Sequence, residues 1–275
     1  MRIAVIAPGA MGAAVARRLH ARGADVAVTL EGRGAGSAAR AAGLTVMESE
    51  AALAGWADAV LSILPPGEAL ALASRLAPAL RDGTLYADCN AVSPATAQAI
   101  GAELPRARFV DIGIIGGPPG EAGPGPRLYA SGADAEALLP LRDWGIDLRA
   151  IAGGIGAASA LKMSYAGITK GLTALGSAMA LGAVSAGAAA ALHAELSASQ
   201  PELMRYFSRS VPDMFDKAYR WVAEMEEIAA FLGESPAAPI YAAMARHYEA
   251  LAADRAATSP AGKVADLARF FAAKP

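Results

Sequence analysis

The first twelve residues of the chain read Met1-Arg2-Ile3-Ala4-Val5-Ile6-Ala7-Pro8-Gly9-Ala10-Met11-Gly12. Ile3 to Ala7 is a short apolar run rich in β-branched residues, which predicts a buried strand. Ala10 to Ala21 carries apolar and small residues at helical spacing and stops near Gly23, which predicts a helix. The intervening Pro8-Gly9 is typical of a tight turn. The chain therefore opens with a strand, a glycine turn and a helix.

That turn has the form of a dinucleotide fingerprint. Gly9 would let the backbone approach a diphosphate, and Gly12 would let the helix pack closely on the strand. The free N–H groups and the positive end of the helix would then face the phosphates. We expect cofactor contacts from Ala7, Gly9, Ala10, Met11 and Gly12, although Ala7 stands where the usual pattern has its first glycine. The alternative is an α/β domain whose tight turn merely uses glycine.

Strand and helix patterns continue to alternate as far as residue 151. This alternation predicts an α/β fold with a doubly wound, mostly parallel sheet covered on both faces, that is, a Rossmann domain. Within it, Ala133 to Trp144 is predicted to be a helix and Gly116 to Pro126 a loop. After Gly156 only helical patterns remain. We therefore expect a dinucleotide-binding domain over residues 1–154 and an all-α substrate and dimerisation domain over residues 155–275.

Breaks in the helical patterns divide the second half. They are expected near Ser199-Pro201, Pro212, Gly233 to Pro239 and Ser259-Pro260, with one helix from Asp213 to Phe231. Gly171 to Leu192 has nearly the length of a membrane span without a charge. Its residues are mainly Ala, Gly, Ser and Thr and lack aromatic anchors, so we favour a closely packed buried helix.

Composition excludes several functional classes. The chain has 275 residues, 55% of them hydrophobic and 18% charged, with a formal net charge of -2. This balance argues against disorder and against a basic surface for nucleic acid or anionic membranes. Cys89 is the only cysteine and the three histidines are scattered, so neither a disulfide nor a Cys/His metal site is expected. We expect a cytoplasmic protein that acts on a small molecule.

The end of the second predicted strand bears on the choice between NAD and NADP. Glu31 could accept hydrogen bonds from a ribose 2′-hydroxyl, which favours NAD. Arg33, with Ser37 and Arg40 behind it, could instead hold a 2′-phosphate, which favours NADP. Both arginines could equally be solvated surface charges. We lean to NADP.

Three later motifs follow in order. Leu61-Ser62-Ile63-Leu64-Pro65-Pro66 ends the fourth predicted strand, and Asp88-Cys89-Asn90-Ala91-Val92-Ser93-Pro94 ends the fifth. Gly154-Ile155-Gly156 and then Lys162-Met163-Ser164-Tyr165 open a long helix. With the N-terminal turn, their order and spacing resemble the β-hydroxyacid dehydrogenases, relatives of 6-phosphogluconate dehydrogenase, in a bacterial branch with a distinct helical C-terminal domain. The resemblance spans most of the chain.

The resemblance implies roles for particular residues. Lys162 matches the catalytic lysine, Asn90 the turn that touches nicotinamide and substrate, and Gly116-Gly117 the pair that binds the substrate carboxylate. It also implies cofactor contacts from Leu64 and Pro65 and a homodimer through the helical domains. The family pattern has Ser where this chain has Ile115 and Asn where it has Ala166, so the usual substrate is in doubt.

The residues alone also suggest chemistry for Lys162. It and Lys170 are the only charges between Arg149 and Glu195, and burial lowers the pKa of an ammonium towards neutrality. Such a lysine can take a proton from a hydroxyl as hydride leaves. A lysine whose head group reaches water is the alternative. Tyr165 lies on the same helix and is either a catalytic, substrate-orienting residue or a structural tyrosine.

Two residues of the predicted helix 213–231 are further candidates for the substrate pocket. Trp221 and Glu224 would line it, and an acidic wall would suit an amine or amino-alcohol group better than a second carboxylate. The sequence thus predicts an NAD(P)-dependent dehydrogenase acting on CH–OH. An NADPH-dependent imine reductase and a non-catalytic dinucleotide sensor are the alternatives.

Overall fold

The computed structural model describes residues 1–120, 123–257 and 261–272. Residues 121–122 of the predicted loop and the predicted break at Ser259-Pro260 lie outside these ranges. The chain divides into two compact units, Met1–Met163 and Ser164–Pro275, and the division falls within one long helix. The assignment of residues 1–154 to cofactor binding and of residues 155–275 to substrate binding and dimerisation stays a prediction.

The first unit is built on an eight-stranded sheet formed by the described residues. Its strands are β1 (Arg2–Ile6), β2 (Asp25–Thr29), β3 (Thr45–Met47), β4 (Ala59–Ser62), β5 (Leu85–Asp88), β6 (Arg108–Ile115), β7 (Arg127–Ser131) and β8 (Asp147–Ala150). They lie in the order β3-β2-β1-β4-β5-β6-β7-β8. The β6–β7 pair is antiparallel, and the other pairs are parallel. The predicted mostly parallel sheet is therefore confirmed.

Helices cover both faces of this sheet. They are α1 (Ala10–Ala21), α2 (Ala35–Arg40), α3 (Glu50–Trp56), α4 (Ala69–Leu76), α5 (Pro94–Ala102) and the start of α6 (Ala157–Ser185). One core packs α1 side chains such as Leu19 against Val5 and Leu61, and the other packs Leu72 and Ile100 against Ile6. Burial of apolar surface contributes about 25 cal/mol per Å² to the free energy of unfolding, so the cores on both faces stabilise the sheet.

Two local predictions for the first unit need correction. Ala135–Arg142 forms a 3-10 helix, not the predicted α-helix, and Pro140 lies inside it. Proline supplies no N–H for an i→i−4 bond, so the tighter turns replace the α-helical ones there. The sequence reading also missed α3, whose N-cap Ser49 accepts a 3.0 Å hydrogen bond from the Ala52 N–H.

The second unit is helical. It comprises the rest of α6, α7 (Ala189–Ser199), α8 (Pro201–Met214), α9 (Ala218–Leu232), α10 (Ala238–Ala256) and α11 (Lys263–Ala272). A Cβ on Gly176 of α6 would lie 2.5 Å from the ring of Phe207 on α8, so the two helices approach closely where the glycine lies. This supports the expected close packing. The predicted span Gly171 to Leu192 is not one helix, because α6 ends at Ser185 and α7 starts at Ala189.

The predicted break near Pro212 is present but displaced. Pro212 itself lies inside the last turn of α8, which ends at Met214. The helix predicted from Asp213 begins only at Ala218, after a turn. None of the helices in the described part of the chain has the length and hydrophobicity that a membrane span requires.

Candidate functional site

The turn between β1 and α1 lies where the order of the strands reverses, between β1 and β4. Ligands of open α/β sheets bind outside the carboxyl ends of the strands at such a point. Gly9 is the N-cap of α1 and has no side chain that could accept a hydrogen bond, and the N–H groups of the first turn of a helix have no acceptor within the helix. A Cβ on Gly9 would meet nothing within 4 Å. The turn thus opens onto free space with donors and a positive helix end.

Gly12 plays a different part from Gly9. A Cβ at Gly12 would lie 2.0 Å from the Ala7 carbonyl oxygen and 3.5 Å from Cγ1 of Val5. Only glycine fits, because α1 passes this close to the end of β1. Ala7 is buried, and its N–H donates a 3.0 Å hydrogen bond to the Ile63 carbonyl. The turn is therefore fixed to the neighbouring strand without a glycine at position 7. Ala10 and Met11 form the first turn of α1.

The two charged candidates after β2 already have partners. The Glu31 carboxylate accepts a 2.7 Å hydrogen bond from the Glu50 N–H at the start of α3. Arg33 forms ion pairs with Glu50 at 3.5 Å and with Glu68 at 3.8 Å, and 19% of its side chain is exposed. A 2′-phosphate would have to compete with these carboxylates for Arg33.

Arg40 lies beside the glycine turn. Its Nε donates a 3.4 Å hydrogen bond to the Pro8 carbonyl, and its guanidinium donates a second one, also 3.4 Å, to the Ser37 hydroxyl. Both of these hydrogen bonds go to neutral acceptors. A second cation therefore lies next to the predicted diphosphate position, at the exposed helix α2.

Asn90 connects the turns that follow β4 and β5. Its Oδ1 accepts a 2.7 Å hydrogen bond from the Leu64 N–H. Its Nδ2 donates to Ser62 Oγ at 2.9 Å and to Asp88 Oδ1 at 2.5 Å, so both amide hydrogens are engaged. Only 4% of Asn90 is exposed, whereas Pro65, which follows Leu64 on the turn after β4, is exposed. Asn90 therefore holds the turn in place, and a direct contact of its side chain with nicotinamide or substrate stays a prediction.

Asp111 on β6 fixes the start of α6. Its carboxylate accepts four hydrogen bonds, from the N–H groups of Gly156 and Ser159 and from the hydroxyls of Ser159 and Ser131, at 2.6–3.2 Å. Ser131 in turn accepts a 2.9 Å bond from the Ala158 N–H. A negative charge at a helix N-terminus is favourable, so this buried carboxylate pins α6 to the sheet.

Lys162 lies on this pinned segment, above β6. A Cβ on Gly113 would be 2.6 Å from the Ala158 carbonyl oxygen and 3.2 Å from the Cβ of Lys162, so glycine in the strand lets the helix come this close. The Lys162 side chain is partly buried. Asp111 and Gly113 together set where the base of the lysine side chain lies over the sheet.

The predicted carboxylate-binding glycines follow β6. Gly116 has φ +124°, and a Cβ there would lie 3.1 Å from Pro126 Cα, so this position requires glycine. A Cβ on Gly117 would meet nothing within 4 Å. Arg18 of α1 supports the loop further on, donating to the carbonyls of Gly120 at 2.6 Å and Gly123 at 2.7 Å.

The remaining candidates belong to the second unit. Tyr165 lies one turn beyond Lys162 on α6 and is 47% exposed. Glu224 of α9 forms an ion pair with Lys170 of α6, and the Lys170 ammonium lies 5.1 Å from the ring centroid of Trp221. The Glu224 carboxylate, which was expected to meet a substrate amine, is therefore already paired with the Lys170 ammonium. The same ammonium lies near the ring of Trp221.

Sequence reasoning missed the residues that position the others. These are Ser62, Asp88, Asp111, Gly113, Ser131 and Lys170. Two signals could have revealed part of this set. An acidic residue inside an otherwise apolar strand must find donors, as Asp111 does. A glycine inside a strand marks a close approach of another backbone, as Gly113 does.

The sequence of the first unit matches a known family. Residues 2–142 match the model described as the NAD binding domain of 6-phosphogluconate dehydrogenase, which covers the strands and turns described above. The chain belongs to this family. Residues 183–251 match a second model, a domain of unknown function called DUF1932. Membership of the 6-phosphogluconate dehydrogenase-like family supports a nicotinamide dinucleotide cofactor and an oxidoreductase class.

Two individual proteins are similar to this chain in sequence. An uncharacterized 28.5 kDa protein of Methanothermus fervidus is 32% identical over 118 residues, which cover 43% of this chain and 45% of that protein. The chain thus spans less than half the length of this curated relative. The conserved protein MTH1747, of unknown function and described as similar to 3-hydroxyacid dehydrogenases, is 28% identical with a TM-score of 0.75, over 91% of this chain and 96% of its own.

One solved enzyme shows the same fold. The 3-hydroxyisobutyrate dehydrogenase of Mycobacterium tuberculosis, solved with L-serine, has a TM-score of 0.74 over 97% of this chain and 98% of its own. It is 20% identical to this chain, so it supports the fold. The expected α/β fold with a helical C-terminal half is therefore confirmed.

Proposed function

We propose that this protein transfers hydride between a nicotinamide dinucleotide and a small hydroxy acid, with Lys162 as the general acid and base. The observation that carries the proposal is the glycine turn at the strand-order reversal. A Cβ on its N-cap Gly9 would meet nothing within 4 Å, and the turns of Leu64 and Asn90 follow the adjacent strands. Family membership through residues 2–142 supports the cofactor class.

Different residues of the first unit have different roles in this proposal. The α1 N-terminus at Ala10 and Met11 binds the diphosphate, and the open position at Gly9 leaves room for it. The bound nicotinamide supplies or accepts the hydride. Lys162 Nζ takes the hydroxyl proton during oxidation and returns it during reduction. Backbone N–H groups of Gly116 and Gly117 bind the substrate carboxylate.

We favour NADP over NAD as the coenzyme. Arg40 and Ser37 support this choice because the Arg40 guanidinium lies at the glycine turn and donates hydrogen bonds to two neutral groups, the Pro8 carbonyl and the Ser37 hydroxyl. Arg33 would contribute less, since Glu50 and Glu68 already compensate its charge. Glu31, which would favour NAD, has its carboxylate engaged at the start of α3.

A coenzyme titration tests the dinucleotide site. We expect the wild-type protein to bind NADPH more tightly than NADH. Gly9→Val fills the open position and should weaken NADPH binding by more than about 30-fold, or about 2 kcal/mol. Its unfolding temperature should fall by less than about 4 °C, because the position has extended φ and ψ and free space around it.

Gly182→Val serves as the matched control, since a Cβ on Gly182 also meets nothing within 4 Å. It should leave coenzyme affinity unchanged. A wild-type protein that gives no binding signal with either coenzyme in calorimetry would refute the proposed cofactor. Binding without turnover in a screen of hydroxy acids, amino alcohols and cyclic imines would identify a sensor instead.

The second unit supports a hydroxy acid rather than an amine as the substrate. Because Glu224 is paired with Lys170, it offers a second cation little uncompensated charge. We retain Tyr165, Trp221 and Glu224 as proposed substrate-binding residues. The amino-alcohol alternative requires that a substrate ammonium displace Lys170 from both Glu224 and Trp221. A hydroxy acid requires no such exchange.

We also propose a homodimer formed through the helical domain. Ile168, Leu175 and Met179 of α6 are 68%, 52% and 59% exposed, and their spacing places them along one side of the helix. Such an apolar stripe is typical of a helix that packs on a partner. Light scattering should give twice the chain mass for the wild type and one chain mass for the double variant Ile168→Glu, Met179→Glu. Tyr219→Glu, at an exposed tyrosine of α9, should stay dimeric.

A further inference from the structure

A cleft with a volume of about 510 Å³ lies beside α1 in the first unit. Four of the residues that line it are three or four positions apart on α1, so they share one face of the helix. The cleft begins one turn beyond Ala10 and Met11, continues towards the C-terminal end of α1, and is therefore separate from the proposed diphosphate position. The described lining residues are Ala14, Arg17, Arg18, Ala21 and Arg22 on or directly after α1, and Pro119 and Gly120 in the loop after β6.

The three arginines of the cleft carry a positive charge that no carboxylate compensates. In the part of the chain that the structure describes, none of the three forms an ion pair, and no acidic residue lines the cleft. Arg17 and Arg18 donate hydrogen bonds to backbone carbonyl oxygens, and Arg22 lies against Gly145. A guanidinium has five N–H donors, so most of the donors in the cleft are not engaged by these bonds. Like charges on neighbouring positions of a helix are destabilising, and a bound anion would offset this cost.

We infer that this cleft is a second ligand site, which binds a small phosphate monoester. A phosphoryl group carries a charge of about −1.5 to −2 at neutral pH and has three terminal oxygens that accept hydrogen bonds. The fork of a guanidinium matches these oxygens in geometry. A carboxylate offers one charge and two oxygens, so it would engage fewer of the three arginines. The inference is independent of the proposed dinucleotide site.

The size and the apolar part of the cleft indicate what the phosphate is attached to. Small-molecule sites commonly enclose about 300–1,000 Å³, and the cleft falls within this range. Ala14 and Ala21 leave space along the helix face because their side chains are single methyl groups, and Pro119 adds apolar surface on the loop side. The carbon skeleton of a monoester can lie on these three residues while its phosphate meets the guanidinium groups. A concave site suits a small molecule rather than a nucleic acid, which needs an extended basic surface.

Nuclear magnetic resonance of the coenzyme-free full chain tests the location of binding, with phenyl phosphate as the probe. At about pH 7.5 the probe is a dianion. We expect the amide signals of Arg18, Ala21 and Arg22 to shift together along one saturable curve, while those of Ala10 and Met11 stay unchanged. Shifts confined to Ala10 and Met11 would overturn the inference, because the probe would then occupy the glycine turn. The absence of a saturable shift at the three cleft residues would overturn it as well.

Two further probes test the class of ligand. Benzoate keeps the aromatic ring but has one charge, and inorganic phosphate keeps the charge but has no carbon skeleton. Each should bind at least about tenfold more weakly than phenyl phosphate, because each lacks one of the two sets of contacts. Benzoate that binds as tightly would show that the phosphate is not recognised. Inorganic phosphate that binds as tightly would show that the carbon skeleton is not recognised, and either result would contradict the assignment to a phosphate monoester.

Two substitutions remove positive charge from the cleft. Arg17→Gln and Arg22→Gln should each weaken binding of phenyl phosphate about tenfold, the loss expected for one charge-assisted hydrogen-bonded contact at an exposed position. Both residues are exposed, so the fold should be unaffected. Arg18 is left unchanged because it holds the loop through the carbonyls of Gly120 and Gly123.

Arg246→Gln in α10 is the matched control for these two variants. Arg246 is exposed and, like Arg17, donates a hydrogen bond to a backbone carbonyl, that of Ala242 at 3.2 Å. The control should keep its affinity for phenyl phosphate within about twofold of the wild-type value, because salt screens an exposed charge that does not contact the ligand. An equal loss of affinity in Arg246→Gln would mean that general charge attraction, and not the cleft, binds the probe.

Gly9→Val separates this site from the proposed dinucleotide site. It should weaken NADPH binding but leave the affinity for phenyl phosphate unchanged. If neither coenzyme binds the wild type but phenyl phosphate shifts the cleft signals, the inference stands and the dinucleotide proposal fails. If coenzyme binds and Gly9→Val abolishes the binding of phenyl phosphate, the dinucleotide proposal stands and the inference fails.

Discussion

Lys162→Met should reduce kcat by about 10²–10⁴-fold, the usual contribution of general acid–base catalysis, while changing coenzyme affinity by less than about threefold. Methionine keeps the length and much of the apolar contact of the lysine side chain but cannot move a proton. The rate loss should therefore appear in kcat for the hydroxy acid that the substrate screen identifies. Stopped-flow measurement of hydride transfer at saturating coenzyme reports it directly.

A matched substitution separates proton transfer from general loss of charge. Lys217, the N-cap residue of α9, forms an i,i+4 ion pair with Asp213, and its side chain is 38% exposed. Exposed ion pairs contribute little to stability, so Lys217→Met should leave the fold intact. Because Lys217 has no proposed role in proton transfer, kcat should stay within about twofold of the wild-type value. If Lys162→Met keeps more than a tenth of the wild-type kcat, the proton must travel by another group and the proposed role of Lys162 is wrong.

The sequence allowed the framework of the site to be predicted because its signals are local. The apolar run from Ile3 to Ala7 and the glycines at positions 9 and 12 are adjacent in the chain, so a strand–turn–helix can be inferred from the sequence itself. The steric demand at Gly12 confirms why glycine stands there, since a Cβ would lie 2.0 Å from a carbonyl oxygen. The alternation of strands and helices likewise fixed the coverage of both sheet faces.

The partners of the charged residues could not be predicted, because they lie far apart in the chain. Glu31 and Arg33 meet Glu50, which belongs to a helix that the sequence reading missed. Glu224 meets Lys170 across 54 positions. The sequence shows that these side chains are charged. Which of them form ion pairs depends on how the helices pack. The preference between NAD and NADP and the nature of the substrate depend on such pairs.

Proline gave a misleading signal in the second unit. Pro212 was expected to end a helix, yet it lies in the last turn of α8, where Met204, Phe207, Val211 and Met214 are buried. Tertiary burial of this apolar face stabilises the helix enough to offset one missing N–H. Local propensity therefore placed the start of the next helix five residues too early, at Asp213 instead of Ala218.

Asp111→Ala should be the most destabilising single change in the first unit. It leaves the N–H groups of Gly156 and Ser159 and the hydroxyls of Ser159 and Ser131 without their acceptor in a buried place. Each unsatisfied buried donor costs about 1–3 kcal/mol, and partial relaxation of α6 brings the total to about 4 kcal/mol. Urea unfolding of the full chain should show this loss.

Asp111→Asn separates the contribution of the hydrogen bonds to stability from the contribution of the negative charge. Its amide oxygen can occupy the place of Oδ2, which receives three of the four bonds, and its NH2 group can donate to Ser159 Oγ, since a hydroxyl both donates and accepts. Only the interaction of a charge with the helix N-terminus is lost, about 1 kcal/mol. Asp147→Ala, which removes a 40% exposed partner of Arg149, should cost less than about 1 kcal/mol.

The same pair of variants connects stability with catalysis. If Asp111 holds α6 so that Lys162 is correctly placed over β6, Asp111→Ala should increase hydrogen exchange at residues 156–162 and lower kcat more than coenzyme affinity. Asp111→Asn should keep most of both. Equal unfolding free energies for the two variants would mean that the charge, and not the four hydrogen bonds, secures α6, and unchanged exchange at residues 156–162 would mean that Asp111 does not hold the helix at all.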